Sequence, residues 1–283
     1  NQFAAPPNRE PECAIAPLSG IRVGIGGWVY APWRDNFYPT GLVQRRELEH
    51  ASRHVTAIEV NGTYYRAQTP ATYAKWAAET PDGFVFSAKA PMRITQAKVL
   101  AKTGRQVEDF VGGLASLGDR LGPIVWQIEP AAPVDRDDLA AFLALLPATA
   151  DGRPLRHVLD LRDAASVDAA HVALLRRHGI AAVFTDSDEH PSFADVTADF
   201  VYARLMRSRG DVPSGYPPRD LDRWAERART WAEGGEPDDL PKLDPSSVAP
   251  REPRDVFVFF IAAAKERNPA AAMALLERLR ARP

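Results

Sequence analysis

Eight short apolar runs alternate with helical patterns along this chain, and that alternation narrows the fold more than any other feature. Strand signals fall at 21–26, 56–60, 84–88, 123–128, 156–161, 180–184, 199–205 and 255–260. Several are near-continuous runs of apolar residues, as expected for parallel strands buried on both faces. Helical spacing fills intervals at 44–53, 70–79, 106–120, 136–146, 168–178, 219–233 and 268–281, whereas 185–198 reads as loop. This pattern predicts an α/β fold: a single TIM-like (β/α)8 barrel, with parallel strands inside an outer layer of helices. A doubly wound open sheet shares the alternation and is the rival. Residues 1–20, rich in Pro and small or polar residues, read as a flexible arm. Residues 21–283 read as one barrel domain, with loop insertions near 207–219 and 235–254 that are rich in Pro and charge.

Composition removes some classes of function. Charged residues make up 25% of the chain and the net charge is -2, so a globally basic nucleic-acid or membrane footprint is absent. No apolar run approaches the ~20 residues of a membrane helix. The single cysteine, Cys13, cannot form an intramolecular disulfide or a cysteine-rich zinc site, which favours a reducing, cytoplasmic setting. There is no Walker A loop, no dinucleotide fingerprint at a strand–helix junction, and no Gly-x-Ser-x-Gly elbow.

In a barrel, chemistry gathers at the carboxyl ends of the strands. The first strand runs into Gly26-Gly27 and the aromatics Trp28, Tyr30 and Trp33, a pattern that suggests the lip of a pocket. The second ends at Glu59 and Asn61, which alternate onto one side, with Tyr64 just beyond. Lys89 ends the third, Asp160 and Arg162 the fifth, and Arg204 the seventh. Glu59, Lys89 and Asp160 are the candidate catalytic residues. Glu59 or Asp160 suits a general base, and Lys89 balances negative charge. Trp28, Tyr30, Asn61, Tyr64, Arg162 and Arg204 are the candidate ligand contacts, the arginines for anions and the aromatics for stacking. The bland alternatives are an internal ion-pair network and a hydrophobic plug over the barrel.

An oxygen-rich metal set of Glu59, Asp160 and Asp186 is a weaker pattern, because no histidine joins it at a ligand spacing. No metal or cofactor is assigned. A carboxylate beside Lys89, either Glu59 or Asp160, is expected to keep it protonated. Lys89→Met, which removes the positive partner, is then expected to cost about 3–5 kcal/mol, against ~0–1 kcal/mol if the pair is open to solvent.

Several segments together resemble the YecE-like family, domain of unknown function family 72. They are GIGGWVYAPWRDNFYP (24–39), IEVNGTYYR (58–66), FVFSAKAPMRIT (84–95), LGPIVWQIEP (121–130), LDLRD (159–163) and YARL (202–205). The resemblance spans about residues 21–281. It implies a (β/α)8-like barrel and a site, but no particular reaction. The chain is a divergent member. Ile25 and Gly26 stand where the family usually has Thr and Ser, Gly62 for Ser, and Gln96 and Met206 for His. Asp160-Leu161-Arg162-Asp163 replaces Glu-Phe-Arg-His, and Ile261-Ala262 replaces an Asn pair.

Three functions stay open on the sequence. The first is an enzyme, of hydrolase or lyase type, acting on an anionic or phosphorylated small molecule at the barrel mouth. The second is a nucleic-acid binding or processing protein. The third is a non-catalytic binding or structural protein with a decayed site. The mixed charge of the mouth favours a small anion over a long duplex, and nothing points to a membrane partner.

Overall fold

The computed structural model describes residues 20–281. The expected arm therefore lies, apart from Gly20, outside the described residues. Eight strands close into a barrel: β1 Ile21–Gly26, β2 Ala57–Val60, β3 Val85–Lys89, β4 Leu121–Ile128, β5 His157–Leu161, β6 Ala181–Asp186, β7 Phe200–Leu205 and β8 Asp255–Phe260. Each lies within two residues of its sequence-based bounds at either end. All eight pairings are parallel, and β1 closes the ring against both β2 and β8. Closure settles the choice against an open sheet.

Alternation along the strands sorts the side chains into two layers. Ala57, Val85, Val125, Val158, Val183, Phe200, Phe257 and Phe259 form a buried cluster filling the middle of the barrel. The intervening residues, among them Val23, Ile58, Phe86, Trp126, Leu159 and Phe260, belong to a second, larger cluster that includes the helices. Those helices are α1 Glu47–His54, α2 Pro70–Ala78, α3 Gly104–Leu114, α4 Arg136–Leu145, α5 Ala169–His178, α6 Pro218–Ala232 and α7 Asn268–Arg280. Local signals fix their ends. Thr69, Asp135 and Asp168 cap α2, α4 and α5 by accepting from first-turn amides. Gly179 ends α5 in the left-handed conformation, with φ 62°.

The segments 206–217 and 233–254 carry no helix or strand. Arg254 gathers the second by donating to the carbonyls of Gly234, Gly235 and Pro250, at 3.1, 2.6 and 2.9 Å. No helix among the described residues is long and apolar enough to cross a membrane.

The tightest backbone constraint lies at Gly24, inside β1. A Cβ there would stand 1.9 Å from the carbonyl oxygen of Ala57 and 3.2 Å from the Phe259 ring. Gly27 differs: its φ is +69°, but a Cβ would meet nothing within 4 Å. Gly24→Ala is therefore expected to cost at least about 3 kcal/mol, because β1 and β2 must part. Gly27→Ala should cost about 1 kcal/mol, from conformational strain alone. Urea midpoints of the two variants check the ranking, and equal costs would show that β1 and β2 do not meet this closely.

Candidate functional site

Above the apolar band, six strands contribute to a polar layer at the carboxyl end of the barrel. Its centre is Arg204 of β7, 1% exposed. The guanidinium grips Glu59 of β2 with two hydrogen bonds, Nε to Oε2 and Nη2 to Oε1, both 2.9 Å. Its Nη1 donates to Asp160 Oδ2 of β5 at 2.7 Å and to Gln127 Oε1 of β4 at 3.2 Å. Tyr202, two residues earlier on β7, donates its hydroxyl to Glu59 Oε2 at 2.7 Å. Ser87 Oγ of β3 lies 2.7 Å from that hydroxyl and 2.7 Å from the Pro123 carbonyl. Thr185 of β6 is buried in register with Arg204.

Ions held this far from water survive only when paired and fully hydrogen-bonded. Burial alone would push the Glu59 carboxyl up. The Arg204 charge and the bonds from Arg204 and Tyr202 outweigh it and hold the carboxyl below its ordinary value. Burial would lower Arg204, but Glu59 and Asp160 raise it instead. Tyr202 is pushed well up, by burial first and by the Glu59 charge second. At neutral pH the layer therefore holds an ionised Glu59–Arg204 pair beside a neutral phenol.

Nearer solvent, Arg162 donates to Asp160 at 3.1 Å and to Glu129 at 2.8 Å, which extends the network outward. Lys89 is half-buried. Its ammonium stands 4.2 Å from the centre of the Tyr64 ring, and Tyr64 accepts a 3.2 Å bond from Gln96. No carboxylate among the described residues forms an ion pair with Lys89. Burial and the Arg204 charge outweigh the longer-range pull of Glu59, and the amine is lowered to about 8. Lys265, in the loop after β8, lies 4.6 Å over the Tyr30 ring and is also lowered by burial.

The expected partnership of Lys89 with Glu59 or Asp160 is thus corrected: both carboxylates pair with Arg204. The reason lies in the register. Glu59 faces Ser87 on β3, so Lys89 stands two residues, roughly 7 Å, further along the barrel. Asp186 does not join Glu59 and Asp160 in an oxygen-rich set. It accepts from Arg207 at 2.8 Å, while Arg204 fills the space between the other two. No group of three or more His, Cys, Asp or Glu among the described residues is placed to hold a metal.

Glu59, Asp160, Arg162 and Arg204 are thus brought into one network, with Lys89 above it. Asn61 precedes the short helix Gly62–Tyr65, which carries Tyr64 over Lys89. Trp28 turns away to pack edge-on against Trp76 at 4.9 Å and Phe86 at 5.9 Å. Tyr202, Ser87 and His190 escaped the sequence reading. Parity offers a signal for the first two, since they lie two residues before Arg204 and Lys89 on the same faces. His190, in the loop after β6, is lowered by burial and then by Arg162, with Asp160 and Glu129 opposing. No sequence spacing ties it to them.

A profile of the family described as "Protein of unknown function DUF72" matches residues 22–283. A 75-residue stretch is 31% identical to the UPF0759 protein YunF of Bacillus subtilis (strain 168) and covers 26% of each chain. The match thus spans about a quarter of that relative's length. A DUF72 family protein from Thermotoga maritima superposes with a TM-score of 0.70 at 18% identity, over 92% of this chain and 99% of that one. One from Enterococcus faecalis V583 gives 0.67 at 14%, over 93% and 96%. SacUVDE gives 0.53 at 12%, over 92% and 99%. At these identities the structural likeness is one of fold.

Arg204→Met would leave two buried carboxylates without their guanidinium, and should cost about 3–5 kcal/mol at neutral pH. Glu59 is lowered in the folded wild type, so its stabilisation is present above its unfolded value of about 4.5 and fades as the pH falls. In the variant the unpaired carboxyls are raised, so acid should stabilise it. Urea unfolding at neutral pH and near pH 4.5 should therefore show the gap closing toward acid. A gap that is constant with pH would mean that Arg204 acts by packing alone.

Proposed function

Because the chain belongs to the DUF72 family, whose TIM-barrel fold it carries, we propose that it is an enzyme acting on a small anionic molecule at the carboxyl-end mouth. The observation that carries this reading is the half-buried Lys89 amine. It is lowered to about 8 and rests on the Tyr64 ring with no ion-pair partner among the described residues. Holding a cation there costs stability that a carboxylate neighbour would have relieved. An anionic substrate supplies the missing charge, and a carboxylate or a phosphate would serve.

In this reading Lys89 is the catalytic residue. A lysine lowered toward neutrality can both bind an anion and exchange a proton at working pH. Proton transfer is the reaction class that fits best. Arg162 has a terminal nitrogen left over after Asp160 and Glu129, and offers it as a second contact with the anion. Glu59 and Asp160 were candidate bases in the sequence. Both are committed to Arg204 and act as positioning residues, fixing the hydrogen-bonded floor beneath Lys89. Tyr64 orients the amine. The rim gives less support to a nucleic-acid role, since Trp33 is fully buried and Trp28 is packed against Trp76.

Lys89→Met tests this directly, and the expected sign opposes loss of an ion pair. The folded amine sits below its unfolded value of 10.5, so the unfolded chain holds the extra proton between about pH 8 and 10.5. Lys89 therefore costs stability below pH 8, and this cost is relieved as the pH rises. Replacing it should raise neutral stability by about 1–2 kcal/mol, allowing for screening at the half-exposed amine. That advantage should vanish above about pH 10.5, where the unfolded amine also loses its proton. Thermal shift with a panel of small phosphates and carboxylates should show stronger stabilisation of the wild type than of the variant. Equal stabilisation of both would remove Lys89 from the site.

A further inference from the structure

The opposite end of the barrel, where the strands begin, holds a second set of charges. A cavity of about 360 Å³ opens there. Arg22, near the start of β1, and Arg156, just before β5, both line it. Their guanidinium carbons lie 5.9 and 5.8 Å from the centre of the same Phe257 ring, which forms the floor. Arg153 stands exposed at the rim.

Negative charge in the cavity falls short of positive charge. Asp255 pairs with Arg156 through one bond of 2.7 Å. Asp119 also lines the cavity, but its carboxylate is answered by Arg120 at 2.8 Å. Arg22 has no carboxylate partner among the described residues. Its Nε donates to the Gly83 carbonyl at 3.1 Å, leaving both terminal nitrogens uncommitted. Arg156 likewise keeps Nη2 after its bond to Asp255. Burial lowers Arg22; the Asp255 charge pulls it back up, and the neighbouring Arg156 charge opposes that pull. If these arginines merely plugged the barrel floor, a second carboxylate or an apolar residue would serve better than two facing cations.

We propose that the N-terminal end of the barrel is a separate binding site for a phosphate group, held by Arg22 and Arg156 over Phe257. A tetrahedral dianion matches the available donors, because Arg22 and Arg156 each present a terminal nitrogen, and Arg22, Arg153 and Arg156 against Asp255 leave about two positive charges unbalanced. The cavity falls within the ~300–1,000 Å³ typical of small-ligand sites and exceeds what one phosphate fills, so a compact phosphate monoester fits as well. The apolar band of Val85, Val125, Val158 and Phe257 separates this site from the Glu59–Arg204 layer. It does not depend on the function proposed for the mouth.

The test is a titration of the full chain with inorganic phosphate at constant ionic strength, followed by the amide resonances of Gly118 and Gly122, which line the cavity. Saturable shifts at both are expected. Arg22→Met keeps the aliphatic stem over Phe257 and should weaken the response at least about tenfold. Asp255→Asn removes the competing carboxylate and should strengthen it. Lys89→Met, at the other end, should leave it unchanged. Arg153→Ala lies on the exposed rim and keeps the test open should Arg22→Met fold poorly; it should weaken binding more mildly. Glycerol phosphate in a parallel titration separates the two sources: tighter binding than inorganic phosphate assigns the cavity to an ester, and equal binding assigns it to the free ion. Absence of saturable shifts at Gly118 and Gly122 in the wild type would overturn the proposal. So would equal affinity in wild type, Arg22→Met and Arg153→Ala.

Discussion

The mouth of this barrel is organised by one buried guanidinium. Arg204 reaches from β7 to carboxylates on β2 and β5 and to an amide on β4, so four strands meet on a single side chain. Such an arrangement gains little over an apolar core in stability, because desolvation takes back most of the Coulombic attraction. What it does is fix geometry. A planar fork bound to Glu59 through two nitrogens and to Asp160 through a third permits few other arrangements of those strands. It also commits both carboxylates. The charge left without a partner on this layer's upper side is therefore Lys89, and the chemical character of the mouth follows from that remainder.

This is also where sequence and structure part. Strand positions were legible because each run must be apolar enough for burial on both faces, and that pattern is local. Placement of Glu59, Lys89, Asp160, Arg162 and Arg204 at the same end followed from their positions at strand ends. Their pairing was not local. Glu59 and Lys89 lie on adjacent strands, but the register sets Glu59 opposite Ser87. Arg204 lies on β7, with β8 and β1 between it and β2, and meets Glu59 only because the closed barrel is narrow enough for a long side chain to reach across. A linear sequence carries no measure of that distance.

The aromatic cluster after β1 shows the same limit. Trp28, Tyr30 and Trp33 are near one another in the chain but part in the fold. Trp28 joins Trp76 and Phe86 between strand and helix, while Trp33 is fully buried and donates its indole N–H to the Lys265 carbonyl. Composition alone cannot distinguish a stacking platform from a hydrophobic wedge. The divergent loop after β8 does yield to physical reasoning. Ala262 and Ala263 adopt φ values of 53° and 50°, a region in which asparagine is several-fold enriched over other non-glycine residues. An asparagine pair, as the family resemblance implies near this point, would suit that backbone. Alanine there accepts local strain, and Asn268 ties the loop by donating to the Ala262 carbonyl at 3.0 Å.

Both lysines near the mouth rest on tyrosine rings, Lys89 on Tyr64 and Lys265 on Tyr30. The choice of neighbour matters for binding. A carboxylate partner would stabilise the ammonium more strongly, but an incoming anion would then have to displace it or face its repulsion. A ring face offers about 0.5–2 kcal/mol of attraction, depending on desolvation, and carries no net charge. The ammonium is thereby oriented without being neutralised, and its partial burial keeps competing water away. Glu59 and Asp160, bound to Arg204, contribute only at longer range and leave the amine lowered to about 8. A cation oriented by an aromatic face, above carboxylates already committed elsewhere, retains its electrostatic capacity for whatever anion enters the mouth.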